Sequence, residues 1–452
     1  MRSAKILGVL TVFIFTLSAV SRADEADIQE TLRRMQARIE ALEKKVADQD
    51  SYIARQKEES SEQQEKISQY ESQLSRFEEK LHRVPSKPIE LMEDLELGIG
   101  GTMIVQGTDN TNYRDGQTRK EGRADASYSA DVTLSKEFRE VNGRAFVHLE
   151  AGQGAGLEEN LSLYSNVNRD AGDSDAKVEV TEFWYEQNLF NDKAAVTFGK
   201  LDPGAYFDQN EAANDETTQF LGRIFRNSPV IEFPDNTGGI RLAYLPAEWL
   251  ELGYGVFDGN SDWEKIGDNL FNIGQVSFRT NFFKLPGNYR FYAWNNNTNH
   301  TKWTDSAKNK EAAYGFGLSF DQKVNNIVTL FTRYGWQDGD VYNPDITASD
   351  GSNYSLEQSW SAGFQVEGSA WGRDNDVFAF AVGQVMPSDE YKKANNLRAK
   401  TEGHLEAYYR IHVNDHLSVS PDFQYIWNPF GKDIADNTGG IFIGGMRAQV
   451  DF

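Results

Sequence analysis

The hydrophobic residues of this chain follow two different periods. From Ile28 to Val84 they recur at alternating spacings of four and three, and Pro85 ends the pattern. This spacing places apolar side chains on one stripe of an α-helix and is typical of a coiled coil. It predicts an α-helical coiled coil over residues 24–84, followed by a linker over residues 85–94.

Beyond the linker the period changes to two. The stretches ASYSADVTL (126–134) and EGHLEAYYRIHV (402–413) alternate apolar and polar residues, as a strand does when its two faces meet different surroundings. A soluble sheet shows the same alternation, but here short turns alternate with long polar loops, which is typical of outer-membrane barrels. We therefore predict an all-β transmembrane barrel of about sixteen antiparallel strands over residues 95–452. The predicted strands lie near 95–107, 124–138, 144–152, 176–189, 194–201, 237–245, 249–257, 270–283, 289–297, 311–321, 327–336, 357–369, 376–385, 403–413, 416–428 and 438–452.

The first residues predict export. Arg2 and Lys5 precede an apolar run over residues 6–20, and Ala23 ends a small-x-small sequence. This order is typical of a signal peptide, which we assign to residues 1–23. An N-terminal membrane anchor is the alternative interpretation.

Composition narrows the function classes. The formal charge of −23 argues against nucleic acid as a partner, and the absence of cysteine excludes disulfides and thiolate metal sites. Acidic residues occur throughout, so pairs such as Asp215 and Glu216 do not single out a glycosidase site. We predict no enzyme activity, no cofactor and no metal site. Aromatic residues near strand ends fit the interfacial girdles of a barrel: Trp184, Trp249, Trp336, Trp371, Tyr425 and Trp427.

The longest loop, over residues 202–236, is both aromatic and acidic. A sixteen-strand barrel is too wide to select solutes by itself, so we expect this loop to fold into the lumen and narrow it. Its rings would pack on the wall, and its carboxylates and amides would face the solute. The predicted constriction residues are Tyr206, Phe207, Asp208, Asn210, Glu211, Asn214, Asp215, Glu216, Phe220, Arg223 and Arg226. Strand alternation predicts six more arginines lining the lumen: Arg144, Arg241, Arg279, Arg333, Arg410 and Arg447. Basic groups facing acidic ones would set a transverse field across the pore.

The loop also carries a resemblance. GKLDPGAYFDQNEAANDETTQFL (199–221), followed by NSPVIEFP (227–234), is similar to carbohydrate-selective porins of the OprB type. The resemblance implies a sixteen-stranded outer-membrane porin whose lumenal loops narrow a pore used by sugars. The long helical N-terminus looks more like sucrose porins, which also carry a periplasmic coiled coil.

These features lead to one main hypothesis and two alternatives. The main hypothesis is selective passive diffusion of saccharides or similar small polar solutes through a homotrimeric porin, surrounded by outer-membrane lipid, with its coiled coil in the periplasm. The first alternative is an envelope tether, in which the coiled coil reaches peptidoglycan or a periplasmic partner. The second is an ion-selective porin, in which the six lumenal arginines form an anion filter.

The coiled-coil prediction can be tested on its own. Residues 24–84, produced as a peptide, should form a parallel trimer, because the apolar stripe must be buried against other copies. Sedimentation equilibrium at tens of micromolar should return about three times the peptide mass. A monomer under these conditions would refute self-association.

Overall fold

A computed structural model describes Arg33 and residues 94–112, 120–172, 175–265, 267–348, 351–431 and 439–452. Apart from Arg33, the predicted signal peptide and coiled coil lie outside these residues, as does the linker up to residue 93. Among the residues described, no helix is long and apolar enough to cross a membrane.

The alternating segments form one closed antiparallel sheet. Each long strand pairs with its neighbour in the chain, and the last strand pairs with the first over Gly100–Thr108 and Ile443–Asp451. A two-residue strand, β12, lies in a loop and pairs with β9, so the wall contains sixteen strands. The strands are β1 (Leu95–Thr108), β2 (Arg123–Phe138), β3 (Gly143–Gln153), β4 (Lys177–Leu189), β5 (Ala194–Leu201), β6 (Thr237–Ala247), β7 (Leu250–Asp258), β8 (Leu270–Thr280), β9 (Gly287–Lys302), β10 (Glu311–Lys323), β11 (Val328–Gln337), β12 (Val341–Tyr342), β13 (Leu356–Glu367), β14 (Val377–Pro387), β15 (Glu402–Asn414), β16 (Leu417–Trp427) and β17 (Ile441–Asp451). The prediction of a barrel with about sixteen strands is confirmed.

The two rims differ. One carries short turns and both ends of the sheet, where the Phe452 N–H donates to the Ile99 carbonyl at 2.8 Å. The other carries eight outer connections: L1 (109–122), L2 (154–176), L3 (202–236), L4 (259–269), L5 (303–310), L6 (338–355), L7 (388–401) and L8 (428–440). L3 is the longest. It contains a 3-10 turn, Pro203–Ala205, and a one-turn helix, α1 (Arg223–Arg226); L7 contains α2 (Asp389–Ala394).

The outer face of the wall is apolar. Leu97 is 59 % exposed and Phe183 is 62 % exposed, as expected for side chains that meet lipid in a membrane. Of the six predicted girdle aromatics, Trp336, Tyr425 and Trp427 occupy outward strand positions, Trp249 and Trp371 are exposed in short connections between strands, and Trp184 points inward. Its ring stacks on Phe146 with centroids 5.0 Å apart, and its indole N–H donates to Glu182 on the inner face. The pairing of β3 with β4 contains a β-bulge between His148 and Leu149. The bulge shifts the alternation of inward and outward side chains by one residue, which explains why Trp184 points inward.

Apolar residues also line part of the inner face, where loops cover them. One cluster joins L3 to β11, β14 and β15, and a second joins L3 to β7, β8 and β9. A third joins L2 to β16 and β17 through Leu157, Val167, Ile426 and Ile443. The hydrophobic core therefore lies inside the barrel, between the wall and two inserted loops.

Candidate functional site

L3 packs against the inner wall through its aromatic rings. The Phe220 ring lies 5.0 Å from the Tyr408 ring on β15 and 5.7 Å from the Phe331 ring on β11. Phe207 lies 6.3 Å from Phe257 on β7, at nearly a right angle. Both L3 rings are only 1 % exposed. The rings therefore attach the loop to the wall and are not available to a solute.

A buried arginine on β11 holds the middle of L3. The Arg333 guanidinium donates to the Asp208 carbonyl at 2.9 Å, to the Asn214 amide oxygen at 3.2 Å and to the Phe225 carbonyl. Its Nε also lies 3.3 Å from the Asp208 carboxylate, and both side chains are almost fully buried. Burial raises the pKa of Asp208, against the opposing charge of Arg333. One strand arginine thus satisfies acceptors from three separate points of the loop.

Two further strand residues satisfy the backbone of L3. The Leu221 and Gly222 N–H groups donate to the two carboxylate oxygens of Glu406 on β15, at 2.6 and 2.9 Å. Arg447 on β17 donates to the carbonyls of Glu216 and Gln219, at 2.8 and 2.7 Å. Buried peptide groups without partners cost about 1 to 3 kcal/mol each, so these contacts allow the loop backbone to enter the barrel.

L2 is held in the same way. Glu402, at the start of β15, accepts from the N–H groups of Tyr164, Ser165 and Phe430, the last of these in L8. Gln106 and Gln424 both donate to the Val167 carbonyl, at 3.0 and 2.9 Å. Within L2 the Glu158 carboxylate accepts from the Asn168 N–H at 2.9 Å, and burial raises the pKa of Glu158 to about 7. Reasoning from the sequence missed these contacts. The sequence did carry a signal that L2 is inserted, because this otherwise polar loop contains the apolar residues Leu157, Leu161 and Val167.

With L2 and L3 against one part of the wall, three adjoining cavities lie beside L3. The outer cavity, about 310 Å³, lies among the L3 return, L4 and L6. It shares Arg223, Phe233, Pro234 and Asp235 with a middle cavity of about 230 Å³. The middle cavity shares Arg169, Asp202, Arg226 and Asn236 with an inner cavity of about 440 Å³, which reaches the walls of β2, β3 and β4. Together they form a path from the long-loop rim into the barrel.

The inner cavity is acidic on both sides. The wall contributes Asp131, Glu150 and Glu182, and L3 contributes Asp202, Asp215 and Glu216. Burial opposes ionisation of Asp215, but bonds from Thr218 and Thr217 outweigh it and lower its pKa. Arg226 pairs with Asp202 at 3.2 Å and with Glu216 at 2.8 Å. Carboxylates therefore outnumber the basic groups of this lining, which are His148, Arg169 and Arg226, and the expected transverse field stays a prediction.

The predicted constriction residues fall into two groups. Phe207, Asp208, Asn210 and Phe220 are at most 5 % exposed, so the expectation that Asp208 and Asn210 face the solute is wrong. Asn210 donates instead to Ser319 and to the Phe320 carbonyl on β10, at 3.2 and 3.1 Å. The others are at least partly accessible: Tyr206, Glu211, Asn214, Asp215, Glu216, Arg223 and Arg226.

The six predicted lumenal arginines also divide. Arg333 and Arg447 are each 1 % exposed beneath L3, so they cannot act as an anion filter. Arg241 lies within 3.5 Å of Glu186 and 3.6 Å of Glu251, and its guanidinium stands 4.7 Å from the centre of the Tyr206 ring. Arg279 pairs with Glu251, Arg144 donates to Ser135 at 2.8 Å, and Arg410 is half-buried.

Within the described ranges, His, Asp and Glu side chains form no group that could hold a metal ion.

A closed sheet with an apolar exterior, two loops held inside it and a polar path beside them define an outer-membrane porin. The sequence matches the family described as carbohydrate-selective porin, OprB family, over residues 119–452. This match covers most of the chain, and the chain belongs to that family.

Individual relatives agree with this assignment. Porin B of Pseudomonas aeruginosa is 22 % identical over 324 residues, which span 60 % of this chain and 68 % of Porin B. An uncharacterized protein of Aquifex aeolicus is 24 % identical over 260 residues, spanning 58 % of this chain and 65 % of that protein. The high-pH structure of OprB from Pseudomonas putida superposes with a TM-score of 0.66 at 17 % identity, covering 81 % of this chain and 96 % of that one. The outer-membrane channel DcaP of Acinetobacter baumannii has a TM-score of 0.50 at 10 % identity, covering 79 % and 97 %. At these identities the two structures show a shared fold.

The anchoring of L3 can be tested at Arg333. Arg333→Met removes one partner of a buried ion pair, a change that typically destabilises by about 3 to 5 kcal/mol, and leaves L3 acceptors unpaired. We expect trypsin to cleave the folded barrel after Arg223 or Arg226 at least tenfold faster, as measured by mass spectrometry. Arg279→Met is the matched control, because the Arg279 side chain is 51 % exposed and pairs with Glu251 on β7. Equal cleavage of the two variants would show that Arg333 does not hold the loop.

Proposed function

We propose that the protein allows selective passive diffusion of saccharides, or similar small polar solutes, across the outer membrane along the three cavities beside L3. One observation carries the proposal: consecutive cavities share lining residues, so a solute meets carboxylates, amides and guanidinium groups continuously. This path is the selective part of the channel. The long-loop rim is its outer mouth, and the short-turn rim opens to the periplasm.

Sugar chemistry suits this lining. Each hydroxyl both donates and accepts hydrogen bonds, so it can move between neighbouring carboxylates and arginines without losing all its partners. The apolar face of a pyranose ring packs on aromatic side chains, and Phe233 and Tyr354 line the outer cavity. An apolar solute would displace water from these groups without replacing its hydrogen bonds.

L3 sets the narrowest cross-section in this proposal. Its accessible residues, especially Asp215, Glu216 and Arg226, face the wall residues Asp131 and Glu150 across the inner cavity. The same acidic lining favours cations over anions. We therefore expect the channel to be weakly cation-selective while it passes sugars. This preference is the opposite of the one that an arginine anion filter would give.

The proposal extends to the rest of the chain. We infer a homotrimer in outer-membrane lipid, with residues 24–84 forming a periplasmic coiled coil. The support is the four-three apolar spacing from Ile28 to Val84. A coiled coil in this position could also bind peptidoglycan or a periplasmic partner, which would make tethering an additional role.

Shortening L3 tests the constriction. Replacing residues 204–233 by a tight turn should raise single-channel conductance severalfold and abolish discrimination between a mono- and a trisaccharide, because the unobstructed barrel is too wide to select. Planar-bilayer recording and liposome swelling measure the two effects. Removing the exposed tip of L5, residues 304–309, is the matched control and should change neither. If the shortened variant conducts and discriminates like the parent, L3 is not the constriction.

A further inference from the structure

We propose that the middle and inner cavities together form a binding site for a small zwitterion, with its carboxylate in the middle cavity and its ammonium group in the inner cavity. This inference rests on the proposed function, because both cavities must be open to solutes, and it adds a second class of solute. Its supports are the opposite charges of the two linings and the unpaired groups that each contains.

The middle cavity contains donors without partners. Arg169 of L2 and Arg223 of α1 line it, and both side chains are exposed. Within the residues that the structure describes, neither guanidinium forms an ion pair or donates a hydrogen bond. Asn227, which is only 6 % exposed, also lines this cavity, and its Nδ2 makes no hydrogen bond with any described residue. Guanidinium and amide N–H groups are the donors that bind a carboxylate best, so this cavity suits the negative end of a solute.

The inner cavity contains acceptors without partners. Glu150 on β3 has no hydrogen bond or ion pair in the described part of the chain. Asp170 of L2 accepts from Ser129 at 2.9 Å through Oδ1, but its shielded Oδ2 has no donor among the described residues. Burial raises the pKa of Asp170 well above its ordinary value, and the carboxylates of Glu216 and Glu150 raise it further. An ammonium group beside these carboxylates supplies three N–H donors and the missing positive charge.

The two linings have opposite net charges and are continuous. Three arginines and two aspartates line the middle cavity, whereas seven carboxylates line the inner cavity with His148, Arg169 and Arg226. Asp202 and Asn236 belong to both linings, as do the two arginines just named, so one extended solute reaches both cavities. A simple anion is repelled by the inner cavity, and a simple cation is repelled by the middle one. A solute that carries both charges is attracted at each end.

The separation of its charges decides which zwitterion fits. In an α-amino acid a single carbon atom lies between the two charged groups, so both would fall in one cavity. An ω-amino acid separates them by a flexible chain, which can span the lining that the two cavities share. The ligand class is therefore a short ω-amino acid, and 4-aminobutyrate is a suitable probe.

The test compares three ions with four carbon atoms, in planar bilayers that contain the full-length protein. 4-Aminobutyrate carries both charges, butyrate carries only the negative one and butylammonium carries only the positive one. Each is added during recording, and the concentration that halves the ion current is measured. In the parent this half-blocking concentration should be at least tenfold lower for 4-aminobutyrate than for either of the other two, because only 4-aminobutyrate engages both cavities.

Two variants test the two ends separately. Arg223→Gln should raise the half-blocking concentration of 4-aminobutyrate about tenfold but not that of butylammonium, because only a carboxylate loses a partner. Glu150→Gln should raise it for 4-aminobutyrate and for butylammonium, but not for butyrate. Arg279→Gln is the matched control and should keep the parent's values, because Arg279 lines neither cavity and pairs with Glu251.

Liposome swelling with glucose tests the proposed function separately. If glucose enters and the three ions block the parent at the same concentration, the zwitterion site is refuted while the proposed function stands. If butylammonium blocks the parent as well as 4-aminobutyrate does, the channel binds cations alone and the inference is wrong. Parental values in both cavity variants would also overturn it, because the binding groups would then lie elsewhere. If no glucose enters and 4-aminobutyrate does not block, the proposed function and the inference both fail.

Discussion

The structure depends on satisfying the backbone of chain segments that lie inside the barrel. A loop inside a protein cannot leave its peptide groups without partners, and the wall strands have already paired their own. Here the partners are long charged side chains on inward positions: Arg333, Arg447, Glu402 and Glu406. Each engages two or more loop atoms. The inward side chains of the wall therefore fix the positions of the inserted loops. The positions of the loops in turn determine where the open path lies.

This arrangement makes the interior asymmetric. L3 covers the inner faces of β7 to β11 and β13 to β15 with apolar side chains, and L2 covers β16 and β17. The open path runs along β2, β3 and β4, whose inward carboxylates remain accessible. The sequence does not distinguish a charged residue that is covered by a loop from one that lines the path, although the two have different roles. Arg333 holds a loop, whereas Arg226 lines the middle and inner cavities.

The wall could be predicted from the sequence, but the interior only in part. A period of two identifies strands directly, so most strand ends fall within a few residues of the prediction. The largest difference is at β9, which was predicted to end at residue 297 but continues to Lys302, where its last residues pair with β12. Alternation also separates inward from outward positions, as for Arg333 and Arg447. It cannot show what covers an inward residue, which is why these arginines, Asp208 and Asn210 were expected to face the solute and L2 was missed. The coiled coil stays a prediction, since it lies outside the described residues.

The most direct test of the central claim uses a cysteine introduced at Thr217. The chain contains no cysteine, so Thr217→Cys gives a single thiol at the point where L3 borders the inner cavity. A positively charged methanethiosulfonate reagent is added during single-channel recording, and mass spectrometry confirms the modification. If L3 narrows the channel as proposed, modification should reduce the conductance of each open channel in one discrete step. Complete modification with unchanged conductance would contradict the account.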